Sequence, residues 1–302
     1  MKKIIYYLLL IGIVVIVFIY KDEITNYITK DIIKQEKPDQ LTYNDYYLNQ
    51  NFNYIKITND FNVRKNDDIK NIFYTILNSG DTKFSFYCDS EYKSCLKDVK
   101  TFFNDKDILA NINNFIHPYN SFSNIKVSIS NYGKIEVEII PVYNSEEINF
   151  INNEIDNFIK NNINNNQSTN DKIKLFHDYI INNAKFDTSV ENSIDKSNSD
   201  SYKAYGLLKN HLAICGGYSD TMAIYLNKLG IKNYRISTTE HVWNLVKIDN
   251  KWYHLDATWD DPVTSDNSNM LMYDYFLIDT NTLLTKDVTQ HNFDKNVYSE
   301  AN

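Results

Sequence analysis

Three residues of complementary chemistry stand in the last third of the sequence: Cys215, His241 and Asp256. A cysteine attacks a carbonyl as its thiolate, an imidazole takes up the thiol proton, and a carboxylate fixes the imidazole tautomer and stabilises the imidazolium. Brought together, they would carry out nucleophilic acyl transfer through a covalent thioester. Two local patterns bear on whether the chain brings them together.

The first surrounds Cys215. Apolar Leu207, Leu208, Ala213 and Ile214 precede it, and Gly216-Gly217 predicts a tight turn of the chain at the thiol. Tyr218, Met222, Tyr225, Leu226 and Leu229 then repeat at helical spacing until Gly230 supplies a C-terminal cap. A helix N-terminus, with its free amides and dipole, is a recognised setting for thiolate chemistry. The same pattern also fits a buried, inert cysteine.

The second pattern is a predicted hairpin. His241-Val-Trp-Asn-Leu-Val-Lys-Ile and Lys251-Trp-Tyr-His-Leu-Asp256 flank Asp249-Asn250, which suit the two central positions of a tight turn. Ile248 then faces Lys251, and stepping outward sets Trp243 against Asp256. His241, two residues further along, points to the same side and lies diagonal to Asp256, roughly 5 to 8 Å away between Cβ atoms. A slip of one residue would destroy the pairing.

Other titratable residues carry weaker signals. His254 shares the hairpin face but lies nearer the turn, as a packed or solvated histidine. His177 falls inside a helical pattern with Ile173, Phe176 and Ile180 and is read as structural. His117 and His211 sit near turn signals. Asp260-Asp261-Pro262 lacks a third ligand at metal spacing and is read as a turn before proline.

With these residues in hand, the segment from about Asp171 to Asp279 resembles the bacterial transglutaminase-like superfamily. The matching stretches are Phe176-His-Asp-Tyr-Ile, Ala204-Tyr-Gly-Leu-Leu, Ile214-Cys-Gly-Gly-Tyr-Ser, His241-Val-Trp-Asn and Trp252-Tyr-His-Leu-Asp-Ala-Thr-Trp-Asp-Asp-Pro262. The family often has alanine after the histidine, where this chain has Val242. The resemblance implies an α+β fold related to papain-type cysteine proteases, with a nucleophile helix packed on an antiparallel sheet. It also implies Cys215, His241 and Asp256 as the triad, the Cys215 amide as an oxyanion donor, and thioester chemistry on a carboxamide or peptide carbonyl. Tyr205 is a possible second donor, and Trp243 and Trp259 would wall the cleft; each could equally be packing. The alternatives are a cysteine protease or amidase acting on cell-wall peptides, and a catalytically silent wall-binding module. No cofactor or metal motif is expected.

The rest of the chain sets the context. Its 302 residues, 43% hydrophobic and 14% aromatic, can bury a real core, and a net charge of -8 argues against nucleic-acid binding. Lys2 and Lys3 precede the apolar run Ile4–Tyr20, which is expected to anchor the chain in a lipid bilayer with the remainder outside the cell membrane; a cleaved signal peptide is the competing reading. Residues 1–20 are thus assigned to a membrane helix, 21–50 to a stalk, 51–165 to a small α+β domain and 166–302 to the catalytic domain. Protein or peptide substrates at the cell surface are the expected partners. Within 51–165, Phe52–Ile57 is predicted as a strand, 67–77 as a helix, Phe84–Cys88 as a strand and Ile125–Ile140 as a hairpin with a three-residue connection. Thr169 and Asn170 are expected to cap the helix starting near Asp171. Cys88 and Cys95 are close enough to pair, leaving Cys215 alone, or all three thiols are free.

Overall fold

The structure is a computed structural model that describes residues 14–27, 40–191, 199–264 and 270–301. Most of the expected anchor lies outside those residues. Its described end, Val14–Tyr20, is helical to residue 19 and exposes Val14, Ile16, Phe18 and Ile19. Helix α1, Lys21–Tyr27, follows. Among the described residues, no helix is long and apolar enough to cross a membrane.

The first folded unit is built on a four-stranded sheet of order β1-β2-β4-β3. Its strands are β1 (Asn62–Val63), β2 (Lys83–Cys88), β3 (Phe122–Ile129) and β4 (Lys134–Pro141). Strand alternation decides its faces: Phe84, Phe86, Ile135, Val137 and Ile139 point inward, while Glu136 and Glu138 remain outside. The hairpin turns through the three expected residues 131–133: Ser130 N–H donates to Lys134 O at 2.9 Å, and Ser130 O accepts Gly133 N–H at 3.2 Å. Helix α2 (Asn66–Ser79) buries Ile69, Ile72, Phe73, Ile76 and Leu77 on this sheet, and Gly80, at φ 82°, closes it in the left-handed region. Helices α3 (Cys95–Asn104) and α4 (Lys106–Asn113) complete the layer. A Cys88–Cys95 disulfide ties β2 to α3. Phe52–Ile57 is not a strand. Its backbone amides bond instead to side chains, Lys56 N–H to Asn71 and Ile57 N–H to Asn51, and burial falls on Phe52 and Ile55 rather than on alternate residues.

The second unit centres on a three-stranded antiparallel sheet, β7 (Asn233–Ser237), β8 (Val242–Ile248) and β9 (Lys251–Leu255). Helix α5 (Ser145–Asn162), α6 (Thr169–Asn183) and α7 (Cys215–Lys228) pack on one face. Ser168, rather than Thr169 or Asn170, caps α6, because its hydroxyl accepts Asp171 N–H while Asp171 reaches back to Ser168. Both faces of this sheet are covered. Val246 and Ile248 join a cluster with Ile151, Phe176 and Tyr225, whereas Trp243 and Leu245 point to the other side. There they meet the first unit's core and a C-terminal segment bearing helix α8 (Thr280–Lys286), Phe293 and Tyr298. The central sheet is therefore clamped between the helices and the N-terminal unit, which leaves its end near His241 as a rim where a cleft can open.

Candidate active site

Cys215 is the first residue of α7, directly after Ile214 in extended conformation. Its approach is fixed by β6 (Leu212–Ala213), parallel to β5 (Lys185–Phe186), and by Ile214 N–H donating to Ser201 O at 2.8 Å. The paired glycines serve close approach rather than a left-handed turn. A Cβ at Gly216 would stand 2.7 Å from Tyr202 O, and one at Gly217 would stand 2.6 Å from Ser201 O. Any larger side chain would push residues 201–202 off the helix start and shift the thiol.

The hairpin register is the predicted one. Ile248 pairs with Lys251 and Asn244 with Leu255, with Asp249 and Asn250 both at positive φ in the turn. Just beyond the ladder, His241 Nε2 lies 2.6 Å from Asp256 Oδ2, with the two residues 5% and 1% exposed. The Cys215 thiol lines the same cleft as this imidazole and lies near enough to favour its protonated form. With Nε2 occupied by Asp256, Nδ1 is the nitrogen left for sulfur. Burial alone would push the imidazole down, but the charge and hydrogen bond of Asp256, followed by Cys215, outweigh it and hold His241 above its ordinary value. Burial likewise opposes the Asp256 charge, yet His241 and then His291 overcome it and hold the carboxyl well below the usual range. Asp256 Oδ1 accepts the amides of Thr258 and Trp259 at 3.0 and 3.3 Å.

A cleft of about 840 Å³ opens over these groups, lined by Cys215, His241, Trp259, Tyr202 and Asp261, with Asn113 and Asn114 from the N-terminal unit opposite. Among the described residues, its lining includes the carboxylates of Glu240 and Asp261 and no lysine or arginine. Burial pushes the Asp261 carboxyl up to about 6, against a hydrogen bond from the Tyr218 hydroxyl.

The remaining sequence candidates fall in different places. Trp259 walls the cleft. Trp243 is 1% exposed and outside the lining; it stacks behind His241 with ring centres 5.6 Å apart and donates Nε1–H to His254 Nδ1 at 2.9 Å. His254 is thereby a packed histidine, lowered to about 3 by burial and then by His291. Tyr205 packs edge-on against Phe150, also outside the lining. Tyr202, three residues earlier, is the tyrosine beside the thiol: burial and then Cys215 raise its phenol to about 12. His177 is sealed against Asp260 at 3.1 Å. His211, at φ 59°, ends the turn before β6, and His117 Nδ1 accepts Tyr119 N–H.

Sequence reasoning passes over His291 entirely. It belongs to no periodic segment, and its nearest signal is Asp287 one helical turn before it. In the structure its Nε2 lies 2.9 Å from Asp256 Oδ2, on the same oxygen as His241. His241, Asp256 and His291 form the described group whose ligand atoms, all within 4.8 Å of one another, have metal-binding types. Those atoms already satisfy each other by hydrogen bonding.

Residues 157–257 match the sequence model of the transglutaminase-like superfamily, a span that contains Cys215, His241 and Asp256. Similar solved structures include the crystal structure of a TGase, 18% identical, covering 46% of this chain and 44% of that one at a TM-score of 0.33. A second is a Cytophaga hutchinsonii protein described as a candidate cysteine protease, 14% identical, covering 45% of this chain and 61% of that one at a TM-score of 0.27. The aligned part thus spans less than two thirds of either solved chain. No curated protein sequence matches. The similarity to the transglutaminase-like superfamily thus falls on residues 157–257, the stretch that holds all three candidate residues.

Proposed function

We propose that this protein is a cysteine acyl-transfer enzyme that forms a thioester on Cys215 from a protein carboxamide or peptide carbonyl. The observation that carries the reading is the line from Cys215 to His241 to Asp256 at the floor of an open cleft, closed by the 2.6 Å contact between imidazole and carboxylate. In the first step the Cys215 proton passes to His241 and sulfur attacks the carbonyl carbon. The oxyanion faces the start of α7, where the Cys215 amide is one of the donors a helix leaves unpaired, a contribution worth roughly 3 kcal/mol. Collapse breaks the C–N bond, and the His241 proton leaves with the departing ammonia or amine. In the second step an amine or a water attacks the thioester, gives its proton to His241, and Cys215 is released as the thiolate.

The Glu240 and Asp261 carboxylates in the lining favour the approach of a positively charged acceptor, so a primary amine is preferred to water. A place at the cell surface is supported by the exposed apolar helix at Val14–Tyr20, by the lysine-flanked run that it ends, and by the Cys88–Cys95 disulfide.

The test is incubation of the full chain in detergent with glutamine-containing casein and a labelled amine. Incorporation that disappears in Cys215→Ala supports transfer to amines. Release of ammonia or peptides without incorporation assigns water as the acceptor and makes the protein a hydrolase. Absence of any thiol-dependent turnover would leave a binding module and sink the proposal.

A further inference from the structure

We propose that His291 is a positioning residue of the active site, and that through it the C-terminal segment beyond the matched domain becomes part of the catalytic machinery. The inference rests on the acyl-transfer reading of Cys215.

A carboxylate as buried as Asp256 needs partners on both oxygens. Oδ1 has the amides of Thr258 and Trp259, which belong to its own turn. Oδ2 has His241 and His291, at 2.6 and 2.9 Å. Without His291 the catalytic imidazole would be the only side chain holding that oxygen, and both would be free to move together. His291 itself is fixed from every side. It is 0% exposed, its Nδ1 lies 2.8 Å from Asp287 Oδ2, and its ring stacks on Tyr275 at 5.3 Å and 15°. Trp243 and Trp259 meet its ring at steep angles. Asp287 is in turn held by Thr289 and by the amides of Thr289 and Gln290. A rigid relay thus runs from the surface at Asp287 through His291 to Asp256, and on to His241 and Cys215.

Sharing one oxygen has a chemical consequence. Donation from His291 draws charge from Oδ2 and so limits how firmly Asp256 holds the proton on His241. That proton must leave with the amine when the C–N bond breaks, so an unshared carboxylate would retain it too strongly. The titratable groups facing His291 are Asp256, Asp287, His241, His254 and the Tyr275 phenol; those facing His241 are Asp256, Cys215 and His291.

The experiment measures two quantities on the full chain: turnover with casein and a labelled amine, and the rate of Cys215 alkylation by iodoacetamide across pH, which needs no substrate. His291→Phe is expected to lower kcat by about 10- to 100-fold with little change in KM, as losses of supporting hydrogen bonds commonly do. It should also move the basic limb of the alkylation profile, set by the His241 proton, upward by about one pH unit. His291→Gln, which keeps a donor toward Asp256, should recover most of the kcat. Asp287→Asn, at the accessible end of the relay, covers the case in which His291→Phe does not fold, and should show a smaller loss of the same kind. If wild-type alkylation depends on His241 but both His291→Phe and Asp287→Asn leave limb and kcat unchanged, the role of His291 is overturned while the acyl-transfer reading stands. If wild-type alkylation is independent of His241, the acyl-transfer reading falls and takes this inference with it.

Discussion

Two of the buried histidine–aspartate contacts among the described residues are chemically alike at first sight. His241 meets Asp256 at 2.6 Å, and His177 meets Asp260 at 3.1 Å. Their surroundings differ. The first pair lies under the cleft with Cys215 on the free side of the imidazole, whereas His177 is 0% exposed and spends its second nitrogen on Asp178 at 3.2 Å. The carboxyls move in opposite directions. Asp256, with two imidazoles on one oxygen and two amides on the other, is held below the usual range. Asp260 has one imidazole and the Tyr275 amide, and burial wins, so its carboxyl is held up. A buried histidine–aspartate contact is therefore no mark of catalysis in itself. The pair proposed to be catalytic adds a nucleophile, an opening and a carboxylate with enough donors to stay charged.

The contrast can be broken by exchanging the same substitution between the pairs. Asp256→Asn is expected to lower kcat for amine incorporation by about ten thousandfold, because the imidazole loses its tautomer and its counter-charge together. Asp260→Asn should leave kcat within about threefold, since its partner never meets substrate. Comparable losses at both would remove the distinction. For stability the order reverses in part: His177→Ala should cost about 3 kcal/mol in urea unfolding by stranding Asp260 among apolar side chains, with a near-normal kcat per folded molecule.

A smaller effect sharpens the placement of the tyrosines. Tyr202→Phe, beside the thiol, should reduce kcat by about tenfold, while Tyr205→Phe, packed against Phe150, should change it less than about twofold. Equal effects would mean that the cleft wall has been assigned to the wrong residue.

The smallest effect is in the pH dependence of stability. Asp256 has its carboxyl depressed in the fold, so its stabilisation is present above the ordinary value of 3.8 and drains as pH falls toward the folded value. Asp260 is raised, so its contribution is present below 3.8 and is lost as pH rises through the folded value. Thermal melts between about pH 6 and about pH 3 should thus show the penalty of Asp256→Asn shrinking on acidification and that of Asp260→Asn growing. Parallel curves would show that the two carboxyls are not held in opposite directions.

Local rules made much of this site legible in the sequence. A two-residue turn at Asp249-Asn250 determines which residues face each other, so the meeting of His241 with Asp256 followed from numbering alone. Helical spacing after Cys215 placed the thiol at the start of α7. What escaped was non-local. His291 reaches Asp256 across 35 residues of chain with no repeating pattern, and only tertiary packing reveals it. Gly216 and Gly217 were legible as small but not as contacts for residues 201–202, which no local signal brings there. Phe52–Ile57 alternates like a strand, yet side chains of Asn51 and Asn71 take the backbone donors that a ladder would have used.

The most direct test of the relay is the rate of Cys215 alkylation by iodoacetamide near neutral pH in the full chain, wild type against His241→Ala. A thiol activated by this imidazole should be modified at least about tenfold more slowly once the imidazole is gone, with Asp260→Asn indistinguishable from wild type. Equal rates in wild type and His241→Ala would contradict it, and would reduce the triad to three neighbouring residues with no shared proton.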